Sequence, residues 1–289
     1  MAVIDNTILT SDVAPAISID LVTNLSENIR SLQELLGIVD MIPMAAGTQI
    51  KTYTTEVGEL NAQPTEGDII PLTKVTLAEA EPIVLDFDLY RKMVTAQDIQ
   101  KVGRERAIYD TDRALIGAVR GTVKGAFYES LGNATGVTPA GADFQKTLAN
   151  AWAALHVFWE DYDVSPIHFV NPLDVAEYLG SAAITTQSAF GFDYVEDFLG
   201  LGTVVFAANV EQGTVYSTVK ENLRGAFVPA NGEVGQEFEL TADESGLVGI
   251  THGRVLERGA IESMLMAGVL FFAENYAGVF KAGGGDVSA

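Results

Sequence analysis

The stretch from Thr54 to Lys74, TTEVGELNAQPTEGDIIPLTK, restricts the fold more than any other. It joins two runs with strand character. GTQIKTYTTE alternates Ile50, Thr52 and Thr54 against Lys51, Tyr53 and Thr55, and LTKVTLAEAEPIVLDFDLYRKMV carries Val75, Leu77, Val84 and Phe87. A hairpin connection needs only about two to five residues. Here Gly58, Pro64, Gly67 and Pro71 prevent regular pairing across a much longer outer part. Between Thr54 and Pro71 that part carries Glu56, Glu59, Glu66 and Asp68 and no cation. The fold must therefore accommodate a long hairpin ending in an exposed acidic loop.

The charge is uneven elsewhere too. The 289 residues hold 39 Asp and Glu against 17 Lys and Arg, a net charge of −22 that argues against wrapping nucleic acid, where cations must meet phosphates. Yet residues 91–124 are locally basic: Arg91, Lys92, Lys101, Arg104, Arg106, Arg113, Arg120 and Lys124 outnumber Asp98, Glu105, Asp110 and Asp112. An acidic loop and a basic segment in one chain can pair within it or between copies. There is no cysteine, which removes disulfides and thiolate metal sites. MAVIDNTILTSDVAP has neither the basic start nor the apolar run of a secretory signal. The longest apolar runs, AGVLFFA and GTVVFAA, fall far short of the roughly 20 residues of a membrane span. With 48% hydrophobic residues, the chain reads as a soluble protein with a substantial core and no membrane partner.

Along the chain, about 17 polar residues broken by Pro15 read as an extended arm. SIDLVTNLSENIRSLQELLGI then predicts a helix, with Ile19, Val22, Leu25, Ile29, Leu32 and Leu36 at spacings of three and four and Gly37 as its stop. After the hairpin, the longest helical candidate runs from Thr95 to about Leu131, with Ile108, Leu115, Val119, Val123 and Phe127 near one face. That is roughly 50 Å at 1.5 Å per residue. Gly103, Gly117, Gly121 and Gly125 weaken it and allow a kink. NATGVTPAGA is the clearest linker. Beyond it come an amphipathic helix through Phe144, Leu148, Trp152, Leu155 and Trp159, a strand PIHFV, and a helix NPLDVAEYLG capped by Asn171. GTVVFAA, TVYSTV, GAFVPA, QEFEL and LVGITH read as strands, followed by IESMLMAGVLFF and GVFKA. No long repeat is visible, and the order of elements is that of an α+β fold.

Catalytic signatures are absent. His156, His168 and His252 lack metal-binding spacing and read as structural. DESG at 243–246 lacks a nucleophile elbow, and GLGTVVFA at 200–207 places its glycines before a strand, where a dinucleotide fingerprint needs them after one. Glu160, Asp161 and Asp163 gather at a helix end, where a solvated turn competes with a carboxylate-dependent hydrolase or a cation site. The reading is no enzyme, no cofactor and no metal.

The stretches HFVNPLDVAEYLG (168–180), GTVYSTVKENLRGAFVPANGEVGQEFELTADESGLVGITH (213–252) and ESMLMAGVLFFAENYAGVFKAG (262–283) resemble the major capsid proteins of tailed bacteriophages, which share the Hong Kong 97-type shell fold. The resemblance implies an N-terminal arm and helix at 1–43 and an extended loop at 44–90. It implies a peripheral domain with a long spine helix at 91–135 and 230–289, and an axial α/β domain at 136–229. It also implies self-assembly into pentamers and hexamers of an icosahedral head shell enclosing double-stranded DNA without sequence-specific contacts. Expected partners are a separate scaffolding protein, a portal and head-completion proteins, with assembly in the bacterial host cytoplasm and residence in the virion. Some members cross-link a loop lysine to a neighbour's asparagine; Asn61 is present, but no lysine lies between Lys51 and Lys74, so no cross-link is expected. In a shell, Glu56, Glu59, Glu66 and Asp68 would meet Arg104, Arg106, Arg113 or Arg120 of an adjacent copy, unless those arginines pair with Glu105, Asp110 and Asp112 along their own helix. An encapsulin-type nanocompartment shell is the alternative within the same fold.

Overall fold

The computed structural model describes residues 31–38, 41–58, 72–79, 82–104, 106–141, 143–181, 187–189, 192–242 and 245–283, together with Val22, Ser26 and Ile29. The architecture is α+β, as expected from the order of elements. Three sheets carry it. An antiparallel four-stranded sheet runs in the order Thr241–Ala242, Val248–Val255, Ala260–Ala267, Asp88–Thr95. A three-stranded sheet places Leu223–Phe227 between Met41–Pro43 and Val269–Ala273. A seven-stranded mixed sheet runs Gly136–Thr138, Phe280–Gly283, Thr214–Val219, Pro166–Val170, Thr203–Phe206, Phe192–Val195, Gln187–Ala189.

The expected hairpin forms as two antiparallel ribbons. Thr48–Ile50 pairs with Ile83–Leu85, and further out Tyr53–Val57 pairs with Val75–Glu79. Residues 59–71, which include most of the acidic loop, lie outside the described residues.

The N-terminal helix is helical at Val22, Ser26, Ile29 and 31–35, with Val22, Ile29, Leu32 and Leu36 buried as the periodicity requires. Gly37 ends it at φ 72°, and the Ile38 amide bonds back to the Gln33 carbonyl at 3.0 Å.

The long helix is shorter than the sequence suggests. The segment begins where expected, with the Thr95 hydroxyl accepting from the Asp98 amide at the start of helix Ala96–Val102. That helix stops at Gly103, whose φ of 86° suits glycine and little else. A π-helical turn, Arg106–Asp110, follows, and only then does the uninterrupted helix Thr111–Gly132 begin. Its 22 residues span about 33 Å. Ile116, Val119, Val123, Phe127 and Leu131 form its buried stripe.

One other reading is corrected, and one stretch left unassigned by the sequence is resolved. QEFEL is not a strand: Glu233–Glu237 is a short helix, closed by a Leu240 amide to Gly235 carbonyl bond of 2.8 Å. Local bonding wins there because Gly235, lacking a Cβ, lets the turn press against the Ala230 carbonyl. IESMLMAGVLFF is two strands in different sheets, divided at Gly268. A Cβ on Gly268 would lie 2.8 Å from the Phe87 Cβ and 3.0 Å from that of Val228. The chain can turn from one sheet into the next only with glycine there.

The main core gathers around Phe127. Its ring meets Phe169 of the seven-stranded sheet edge-on at 5.3 Å and Phe271 of the three-stranded sheet at 6.4 Å. The buried residues of the N-terminal helix join the same cluster, as do Val248, Ile250 and Leu265 of the four-stranded sheet.

A histidine is fully enclosed within the seven-stranded sheet. His168 Nε2 lies 3.0 Å from the Leu201 carbonyl, and Nδ1 lies 2.7 Å from the Ser217 hydroxyl. A carbonyl can only accept, so Nε2 donates to Leu201 and the Ser217 hydroxyl donates to Nδ1. The ring is held neutral: burial lowers its pKa to about 4, against a smaller opposing effect of the Leu201 hydrogen bond.

Two tests follow from this packing. Phe127→Ala is expected to cost about 3–5 kcal/mol in chemical denaturation, since it opens a cavity where three elements meet; a loss below about 1 kcal/mol would refute that role. His168 makes stability fall with acid, because below its ordinary value of 6.5 the unfolded chain binds a proton that the folded chain refuses down to about 4. The loss across that window reaches about 3 kcal/mol. His168→Gln is expected to flatten the stability–pH slope between those values whatever its own stability, and an unchanged slope would contradict the assignment.

Candidate functional site: assembly surfaces and a buried ion cluster

Strand alternation puts Tyr90, Lys92 and Val94 on one face of the strand Asp88–Thr95. The antiparallel register sets Lys92 opposite Ser263, and Ser263 opposite His252, so the three lie in a row across the four-stranded sheet. The start of the long helix meets this row. Asp112 is wholly buried there, with Oδ1 at 2.9 Å from Lys92 Nζ and Oδ2 at 3.0 Å from His252 Nε2. Burial pushes the Asp112 carboxyl upward, but the hydrogen bonds and charges of His252 and Lys92 outweigh it and hold it below the usual carboxylate range. The helix N-terminus favours the same negative charge. Lys92 also donates to the Ile108 carbonyl at 2.7 Å and to the Thr111 hydroxyl. No local spacing predicts this cluster, whose members stand at positions 92, 112 and 252.

The cluster occupies one of the acids that stand near the arginines on their own segment. Asp112 pairs with the sheet, and among the described residues no ion pair joins Arg104, Arg106 or Arg113 to an acid. Those three arginines are exposed, Arg120 is half-buried, and Asp110 is exposed; Glu105 lies outside the described residues. Of the loop acids, Glu56 stands on the strand Tyr53–Val57 opposite Thr76, with its side chain outside the described residues. Glu59, Glu66 and Asp68 are outside them altogether. The described residues thus include three exposed arginines on this segment, whereas three of the four loop acids lie outside them.

The remaining candidates form no catalytic constellation. His156 is exposed and packs against Trp152 at a tilt, with ring centroids 4.3 Å apart. Glu160, Asp161 and Asp163 are all exposed on the turn after the helix Phe144–Phe158. Among the described residues no group of acids and histidines is placed to hold a metal ion, and no helix is long and apolar enough to cross a membrane. A polar cleft of about 360 Å³ holds Arg91, Lys92, Arg258 and Glu257, with Arg91 and Glu262 bridged at 2.7 Å. It reads as a structural ion pair.

An exposed apolar surface was missed by the sequence reading. Ala153, Ala154, Val157, Phe158 and Phe280 line an open groove of about 600 Å³. Val157 is 77% exposed, and Tyr162, on the turn that follows the helix, 67%. Phe158 packs on Phe280 at 5.8 Å and on Trp159 at 5.2 Å, and Trp159 packs on Tyr162 at 5.7 Å. The signal was present in Val157 and Phe158, which fall off the buried stripe of an otherwise regular amphipathic helix. At the far end of the four-stranded sheet, Leu256 projects from a hairpin tip at 88% exposure. A contiguous apolar patch such as the groove at Val157 and Phe158 is the kind that marks a contact surface, whereas a single exposed residue such as Leu256 is ordinary.

No protein-family model and no curated protein sequence matches the chain. Solved structures do match. The encapsulin of the holo-SrpI complex from Synechococcus elongatus has a TM-score of 0.54 at 9% identity, over 89% of each chain. The satellite phage P4 procapsid, which includes a size determination protein, has a TM-score of 0.52 at 11% identity, over 97% of this chain and 92% of that one. The virus-like particle from Pyrococcus furiosus has a TM-score of 0.52 at 9% identity, over 91% of this chain and 97% of that one. The similarity extends over 89 to 97% of this chain and of each of those: the protein has the Hong Kong 97-type shell fold.

Proposed function

We propose that the chain is the major coat subunit of a tailed-phage head, assembling through pentamers and hexamers into an icosahedral shell around double-stranded DNA. The observation that carries this is the near-complete coverage, in both directions, of a phage procapsid chain. In this reading residues 1–43 are the arm and 44–90 the extended loop. Residues 91–135 and 230–289 form the peripheral domain and 136–229 the axial domain, with the strand Phe280–Gly283 crossing into the axial sheet. A separate scaffolding protein, a portal and head-completion proteins complete the head, built in the bacterial host cytoplasm. No active site is assigned.

Cohesion comes mainly from apolar surfaces such as the Val157–Phe158 groove. Direction comes from charge: Glu56, Glu59, Glu66 and Asp68 of one copy face exposed Arg104, Arg106 and Arg113 of the next, with Arg120 further along the helix. Each exposed pair contributes only about 0–1 kcal/mol, so the contacts hold collectively. A net charge of −22 suits an inner wall over which DNA slides.

A second reading keeps the shell and changes its contents. The similarity to an encapsulin favours a compartment around protein cargo.

Sedimentation and negative-stain microscopy of the purified protein are expected to reveal closed shells or rings of five and six copies. A chain that stays monomeric with scaffold supplied would overturn the proposal. Nucleic acid in the particles supports the phage reading; a co-purifying enzyme supports the compartment. Replacing all four loop acids by Lys is expected to abolish particles while leaving folded subunits, and normal particles from that variant would eliminate the loop contact.

A further inference from the structure

The segment Ala96–Gly132 is a helix in two pieces, and the junction has its own machinery. Gly103 has open space where a side chain would stand. The helix Ala96–Val102 buries none of its residues, so little packing fixes its direction. Between the pieces, the π-helical turn buries only Ala107 and Ile108. Lys92, on the neighbouring sheet, reaches this junction with three donors for three acceptors: the Ile108 carbonyl at the turn, the Thr111 hydroxyl at the helix start, and Asp112. The Thr111 hydroxyl in turn points to the carbonyls of Ala107 at 2.7 Å and Ile108 at 2.8 Å. His252 holds the other oxygen of Asp112.

A π turn holds one residue more than the α turn that would replace it, and one residue is about 100° of rotation about the axis. We propose that Lys92, Asp112 and His252 form the latch of a hinge: engaged, they keep the 106–110 turn in its π form; released, the turn rewinds and re-aims what precedes it. What precedes it is the exposed basic pair Lys101 and Arg104, with Arg106 at the first position of the turn itself. The use of such a hinge rests on the shell reading, because a subunit at five-fold and six-fold positions must offer one contact surface in more than one direction. The latch itself is independent of it.

Hydrogen exchange on the unassembled full chain tests the latch directly. Lys92→Met keeps the length of the side chain and removes all three donors. Thr111→Val removes one hydroxyl and leaves the ion pair with Asp112, so it serves where the first variant fails to fold. In either, amides 106–112 are expected to exchange at least tenfold faster, while those of the strands Val248–Val255 and Ala260–Ala267 keep their wild-type rates. Uniform acceleration along the chain would reduce the cluster to ordinary structural support, and unchanged exchange at 106–112 would eliminate the hinge. Both results stand whether or not the protein forms shells, so a failure here is separable from a failure to assemble.

Discussion

The packing of one helix organises the molecule. The inner stripe of Thr111–Gly132 shares one core cluster with residues of the seven-, four- and three-stranded sheets, and Phe127 links the seven-stranded and three-stranded sheets through Phe169 and Phe271. The helix has poor intrinsic reasons to exist. Gly117, Gly121 and Gly125 each disfavour it by up to about 1 kcal/mol relative to alanine, and a Cβ at any of them would meet open space. Tertiary burial of the opposite face offsets those costs. The helix is therefore a consequence of the core as much as a scaffold for it.

Apolar packing holds the helix down but tolerates sliding along its axis. Polar contacts at its two ends supply the missing registry. At the start, Asp112 can be satisfied only where Lys92 and His252 converge, because a buried carboxylate without partners is strongly unfavourable. Near the far end, the Ser130 hydroxyl lies 3.3 Å from the Tyr276 hydroxyl. The turn that carries Tyr276 is itself pinned by Asn222, which accepts from the Asn275 amide at 2.8 Å and donates to the Asn275 carbonyl at 2.9 Å.

What was legible in the sequence follows the range of the interactions involved. Periodicity finds the N-terminal helix, the inner stripe of the long helix and the hairpin ribbons, since each is a pattern among near neighbours. It misses the π turn, whose Ile108 carbonyl is met by Lys92 from the strand Asp88–Thr95 rather than by a near neighbour in sequence. It leaves IESMLMAGVLFF unassigned and undivided, because the crowding at Gly268 comes from Phe87 and Val228. QEFEL, with its apolar alternation, looks like a strand until Gly235 meets Ala230. The buried ion cluster had no signature at all, whereas the apolar groove had one in Val157 and Phe158 that the stripe of Leu148 and Leu155 obscured. With identities of 9 and 11% to chains of the same fold, the order of elements persists where residues do not. The four loop acids remain a proposal, resting on charge.

The strand Phe280–Gly283 lies second in the seven-stranded sheet, between Gly136–Thr138 and Thr214–Val219. Its partners precede it by more than sixty residues on one side and about 140 on the other. Pairings of such long range are slow to form, because the chain must close large loops before any contact rewards it. During synthesis the sheet stays incomplete until the last of these residues has left the ribosome. Gly136–Thr138 has no place in the sheet before then, and the groove closed by Phe280 does not exist. The topology thus delays the exposed groove beside Val157 and Phe158 until Phe280 has been made and has paired with strands far earlier in the sequence.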